Sequence, residues 1–291
     1  MRKAAVLLVS LATLMLIVGG VMTQSLLILQ RVAAVDAVQG YVWIQPRGHE
    51  GFMPLADRPR VAAGDTLRTD ARSQVDLRYV DGTRMRVGPN SRLTVLKDQI
   101  NRRTEAETTM FKLDLGRVWV RILKVLSQKS KFDVITPTAT AGVRGTIFAV
   151  EVTPEGKTLV SVKEGKVAVK TGQTEAQVAQ GQMMEEGVPQ AMAAAEKTAW
   201  AANESVALPH LEVRQPARAI TVAPGASIEV SGVAEPGATV TVDGKPQTLR
   251  LEKLFTAQVQ APSRAGTAEI VVEAKDRRGF VARQTISVTV R

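Results

Sequence analysis

The stretch Gln74-Val75-Asp76-Leu77-Arg78-Tyr79-Val80-Asp81-Gly82-Thr83-Arg84-Met85-Arg86-Val87-Gly88-Pro89-Asn90 decides the fold class. Val75, Leu77 and Tyr79 alternate with Asp76 and Arg78, the period-two pattern of a strand with one face buried. Asp81-Gly82 follows, and a hairpin turn of that composition uses the positive φ that glycine adopts freely. Alternation resumes through Arg84, Met85, Arg86 and Val87. Gly88-Pro89-Asn90 turns the chain again, and Leu93 and Val95 begin another strand.

The same texture extends in both directions. Val118, Val120 and Ile122 alternate with Trp119 and Arg121, and Ile147 to Val152 is a β-branched run. Glu155-Gly156 turns into Leu159 to Val162, and Glu164-Gly165 into Val167 to Val169. Short strands between glycine turns predict an all-β unit over residues 35–186, as a sandwich, a barrel or a short β-helical stack. Periodicity does not choose among the three. Asn101 to Thr109 reads as a polar loop or hairpin tip.

Residues 187–216 differ. Ala191 to Ala202 is rich in helix formers with Pro189 near the start, and Pro209 and Pro216 flank a linker. Alternation returns over 217–291, with strands expected at Ile220–Val222, Ile228–Val230, Thr239–Val242, Phe255–Val259, Ala268–Ala274 and Gln284–Val290. Turns fall at Pro236-Gly237, Asp243-Gly244 and Arg278-Gly279. About seven short strands in this length predict an immunoglobulin-like β-sandwich.

Ahead of these units, Met1-Arg2-Lys3 is a short basic start and Ala4 to Val21 is apolar apart from Ser10 and Thr13. Thr23, Gln24 and Ser25 interrupt the run, and Leu26 to Leu29 resume it. Positive charge before an apolar run sends the following chain across a membrane. A signal-peptide core is about 7–15 residues and a spanning helix about 20. Residues 1–30 are thus a signal peptide or a transmembrane anchor, and the length favours an uncleaved inner-membrane anchor through residues 4–29. The rest is expected in the periplasm or cell envelope.

Composition bounds the chemistry. The chain has 291 residues, 45% of them hydrophobic, enough for two cores. There is no cysteine, which removes disulfides, thiolate metal sites and cysteine nucleophiles. The two histidines, His49 and His210, are far apart without metal-ligand spacing. No G-x-S-x-G elbow or H-E-x-x-H helix is present, so the expectation is a non-enzyme without cofactor or metal. Net charge is +10, and between Arg78 and Lys131 thirteen Lys/Arg face five Asp/Glu. Such a surface favours an anionic partner. Aromatics are only 4%, which leaves little for base stacking and argues against nucleic acid.

Several ordered blocks resemble the FecR domain family. They are Gly64-Asp65-Thr66-Leu67-Arg68-Thr69, Val75 through Arg86, and Gly88-Pro89-Asn90-Ser91. The most specific block is Thr136-Pro137-Thr138-Ala139-Thr140-Ala141-Gly142-Val143-Arg144-Gly145-Thr146-Ile147-Phe148, followed by Val162-Lys163-Glu164-Gly165-Lys166-Val167. Residues Ser231 to Val240 and Glu269 to Val290 are similar to bacterial immunoglobulin-like repeats. The FecR resemblance implies a periplasmic all-β domain that contacts protein partners. In the founding members this outer part senses an outer-membrane transporter, while a cytoplasmic domain controls a sigma factor. Only Met1 to Lys3 precede the apolar run, which predicts a chain without that cytoplasmic domain. The expected function is an envelope protein-interaction module, a scaffold or regulator. The alternative is a binder of anionic cell-envelope polysaccharide.

Candidate contact residues follow from alternation. Arg84 and Arg86 share one strand face, as do Arg117, Trp119 and Arg121, and together they could form a basic binding patch. Trp119 could equally cover the sheet or pack under the helix. Arg144 sits in the turn Gly142-Val143-Arg144-Gly145-Thr146, either presented to a ligand or folded back onto an internal carboxylate, with the second expected. Gly142, Gly145, Thr146, Asp81 and Gly82 are expected to shape turns.

Overall fold

The computed structural model describes residues 28–55, 59–122, 129–185, 187–251, 253–277 and 279–291. The segment expected to direct export, residues 1–30 with an anchor through 4–29, lies outside these residues except for Ile28–Gln30, which is a short strand and so not part of a helical anchor. Among the described residues no helix is long and apolar enough to cross a membrane. The chain divides into two compact units, one ending at Trp200 and one spanning Ala201–Arg291.

Among the described residues the first unit contains eighteen strands in two ladders. Ladder A runs, in spatial order, Met53–Pro54, Val42–Gln45, Thr66–Thr69, Arg92–Asn101, the first part of Ala106–Arg121, Lys131–Ile135, Thr140–Val143, Lys166–Thr171 and Thr174–Ala179. Ladder B runs Arg60–Ala62, Val32–Gln39, Gln74–Arg78, Arg84–Val87, the last part of Ala106–Arg121, Ile147–Val152, Thr158–Glu164, Gln182–Glu185 and Val188–Ala191. Ile28–Gln30 pairs with the far end of Arg92–Asn101. The chain deals strands to the two ladders mostly two at a time. The result has two layers in section and stacked hairpins along its length.

Strand Ala106–Arg121 belongs to both ladders and joins them, pairing in its first part within ladder A and in its last part within ladder B. It crosses at Gly116, where φ is +85° and a side-chain carbon would lie against Ser91 Oγ and within 2.5 Å of Ser91 Cα. Only glycine fits that crossing. Inward side chains of both ladders form one core: Ile44, Leu67, Leu93 and Val134 meet Leu77, Met85, Val120 and Val150. Phe132 of ladder A stands edge-on to Phe148 of ladder B, with ring centroids 6.2 Å apart.

The first unit extends past the expected limit at 186. Val188–Ala191 pairs with Gln182–Glu185, and Pro189 sits in this outermost strand, not at a helix start. An edge strand tolerates the missing N–H of proline. The helix spans Ala194–Ala202, and its buried Glu196 and Trp200 bind it to the first unit.

The second unit holds two sheets. One orders Leu211–Gln215, Ser227–Ala234 and Leu254–Gln260; the other orders Ala219–Val222, Val281–Val290, Gly266–Lys275, Thr239–Val242 and Lys245–Gln247. They share one core, with Val230 and Phe255 from the first and Val240, Val272 and Val288 from the second. Gly232 lets strands and the Phe255 ring close up, since a Cβ there would lie 2.6 Å from the ring. Asp243 and Gly244 both take positive φ, the two-residue hairpin their sequence predicts. Leu211–Gln215 is a strand lying in the segment expected to be linker.

Candidate functional site

The basic stripe expected from alternation lies on the outer face of ladder B. Register places Asp76, Arg86, Trp119, Ala149, Ser161, Met183 and Gln190 in one row across the strands. Arg86 is buried and grips both oxygens of Asp76 at 2.7 Å. Arg117 donates to Glu151 at 2.9 Å and pairs with Glu196 of the helix. Its guanidinium lies 4.8 Å from the centre of the Trp119 ring, which is 6% exposed. Ser161 Oγ donates to Glu196 at 2.5 Å and accepts from Trp200 Nε1 at 3.0 Å. Ala193 N–H adds a bond to Met183 Sδ at 3.3 Å.

The stripe is therefore the seat of the helix. Arg121 is 0% exposed, Arg84 is half-buried, and Arg86 and Arg117 have carboxylate partners. The expectation that these five residues form an exposed patch is corrected. Alternation put them on one face, but the helix Ala194–Ala202 covers part of that face and carboxylates neutralise it.

The glycine turn is held without its arginine. Thr146, fully buried, has its hydroxyl within hydrogen-bond reach of both Arg144 O (3.1 Å) and Lys166 O (3.0 Å), which share its one proton. Gly165, at φ +87°, packs against Thr146 because a Cβ would come within 3.1 Å of its hydroxyl. Gly145 takes φ +61°, whereas Gly142 lies within the strand Thr140–Val143. Arg144 is exposed and has no carboxylate partner among the described residues, so the fold-back expected of it is corrected. Upstream, Thr136, Thr138 and Thr158 form a hydroxyl cluster at 2.7 Å spacings that pins the preceding turn. Gly82 takes φ +85° as expected, and Asp81 caps Thr83 N–H at 3.0 Å.

Asp81 also belongs to an ionic cluster that composition does not reveal. Arg31 contacts Asp81 at 2.9 Å, Glu107 at 3.1 Å and Asp98 at 3.8 Å, and stacks 4.9 Å from the Tyr79 ring centre. Arg31, Tyr79, Asp81 and Glu107 line a small, partly open cavity with Thr83 and Lys131. Burial lifts the Glu107 carboxyl from its ordinary 4.5 to about 6; Arg31 opposes this, and Asp81 and Asp98 add to it. Burial likewise raises Asp98 against the pull of Arg31. Burial would lower Arg31, but the surrounding carboxylates outweigh it and raise its pKa. Among the described residues no group of three or more acids or histidines is arranged to hold a metal ion.

The outer face of ladder A has the opposite character. Trp43 lies opposite Arg68, and Arg68 opposite Arg92. The Arg68 guanidinium is 4.9 Å from the Phe52 ring centre and 5.7 Å from that of Trp43, and Arg92 is 5.6 Å from Phe52. Neither arginine has an ion pair or side-chain hydrogen bond among the described residues. The next row carries Gln45, Thr66, Thr94, Lys112, Ile135, Thr140 and Lys170. Arg92, Lys97, Lys112 and Lys170 are exposed. The available signal was the polar parity of Trp43 in Val42–Gln45 and Arg68 in Thr66–Thr69; the register that joins them was not legible.

No curated protein matches the chain. A solved structure of a candidate anti-sigma factor from Parabacteroides distasonis ATCC 8503 is 17% identical, with a TM-score of 0.38, over 47% of this chain and 63% of that one. A second crystal structure carrying the same description gives 17%, 0.38, 47% and 64%. This chain thus spans less than two thirds of their length. A Bacteroides ovatus protein, SGBP-B of a mixed-linkage glucan utilization locus, in complex with a heptasaccharide, is 12% identical with a TM-score of 0.20, over 88% of this chain and 60% of that one. Residues 65–168, from the Asp65 turn through the glycine turn to Ala168, match the family described as FecR protein.

Proposed function

We propose that this chain is an exported, envelope-facing interaction module of FecR type that acts as a scaffold or regulator by reversible protein contact. It carries out no covalent chemistry. The observation that supports this reading is the free edge of ladder A. Among the described residues strand Thr174–Ala179 pairs only with Lys166–Thr171, and most of its residues are exposed or half-buried. An edge of this kind accepts a partner strand through backbone hydrogen bonds. The second unit reads as an appended immunoglobulin-like domain.

A photo-crosslinking residue at Gln177 in the full chain tests the reading. One discrete protein adduct in intact envelopes, absent when the crosslinker stands at Gln258 of the second unit, supports it. Equal or no protein adducts at the two positions contradict it.

A further inference from the structure

We propose that the outer face of ladder A, centred on Arg68 and Arg92 with Trp43 and Phe52, binds a carboxylated polysaccharide. This goes beyond the protein contact proposed for the strand edge, and it uses a different surface of the same unit.

The first argument is charge without a partner. Arg86 and Arg117 on ladder B each meet carboxylates, whereas Arg68 and Arg92 meet only aromatic rings among the described residues. Arg68 Nε is buried with no acceptor. A ring face holds a guanidinium in place without consuming its charge. A planar fork held in this way is prepared to grip a carboxylate through two hydrogen bonds. Preorganisation also removes much of the side-chain entropy lost on binding.

The second argument is the direction of the row. Arg68 and Arg92 are neighbours across strands, so their backbones are about 4.8 Å apart. A polyuronate carries one carboxylate on every ring, so a short stretch of it supplies carboxylates to both guanidiniums together with ring hydroxyls. The adjoining row offers hydroxyl, amide and ammonium groups in the same direction, with Thr66 and Thr94 hydroxyls 2.9 Å apart. Hydroxyl-rich rings find donors and acceptors there. The protein's net charge of +10 draws a polyanion to the surface.

The test is binding of polygalacturonate to the full chain in neutral detergent, with dextran and poly-glutamate as comparison polymers. Polygalacturonate is expected to bind in a salt-sensitive way, and dextran to bind far more weakly. Arg68→Gln with Arg92→Gln should weaken polygalacturonate binding by about tenfold or more. Arg102→Gln with Arg103→Gln removes the same charge at the hairpin tip and should change it by less than about twofold. Arg92→Gln alone, at an exposed position, keeps the test valid if the double variant unfolds, and should still weaken binding several-fold. Equal losses from the two double variants would reduce the effect to net charge and overturn the proposal. Tighter binding of poly-glutamate than of polygalacturonate would also overturn it, assigning the face to an acidic protein segment. Loss of polygalacturonate binding with the Gln177 adduct retained would separate this site from the strand edge.

Discussion

The two outer faces of the first unit use the same residue types and reach opposite ends. Ladder B carries arginines beside Trp119, and ladder A carries arginines beside Trp43 and Phe52. On ladder B each gripping arginine is answered by a carboxylate, and the helix delivers one of those carboxylates from 79 residues away. On ladder A no carboxylate among the described residues pairs with Arg68 or Arg92, and aromatic rings hold the guanidiniums. A basic aromatic stripe is therefore defined by what covers it: a buried charge needs a partner in the fold, while an exposed charge can wait for one from outside.

The contrast can be broken most severely at the helix. Trp200→Ala removes a buried ring and the donor to Ser161, and should cost about 3–5 kcal/mol in urea unfolding. Glu196→Ala leaves Arg117 with Glu151 alone and strands Ser161 Oγ, and should cost about 3 kcal/mol. Both variants should speed proteolytic cleavage within Ala194–Ala202. A cost below about 1 kcal/mol for both would mean the helix is not fastened as described.

A smaller effect is expected from pH. Glu107 has a folded pKa of about 6 against an ordinary 4.5. Between those values the folded state holds the extra proton, so this contribution to stability is full below 4.5 and lost as pH rises through 6. Asp98 acts with the same sign. Melting of Glu107→Gln followed across this window should show a flatter pH dependence than the parent; an unchanged slope would remove Glu107 as its source.

The smallest effect belongs to the open surfaces. Arg92→Gln and Arg144→Ala should each change stability by less than about 0.5 kcal/mol, because neither side chain holds the fold together. A loss above about 1.5 kcal/mol at Arg92 would place it in the structural class of Arg117 and sharpen the boundary between the faces.

Local signals in the sequence were strong and distant ones were absent. Ile147–Val152 and Thr239–Val242 are strands at their expected limits, and the Asp243-Gly244 turn has its expected dihedrals. Alternation also assigned Arg117, Trp119 and Arg121 to one face, and the option that Trp119 is covered was visible beforehand. The cover itself was not, because Arg117 and Glu196 meet through folding rather than spacing. Register hid the Arg68–Arg92 row for the same reason, and Phe52 enters it from outside the strands. Composition misled at 187–216, where proline marked a strand edge at Pro189 and concealed the strand Leu211–Gln215.

Arginine labelling by phenylglyoxal, read residue by residue by mass spectrometry on the folded full chain, tests the central contrast most directly. Arg92 and Arg144 should react rapidly, while Arg86, Arg117 and Arg121 should react only at the rate of unfolding. Labelling of Arg117 and Arg121 as fast as Arg92 would show that ladder B is open, and would contradict the division of the two faces into a helix seat and a binding surface.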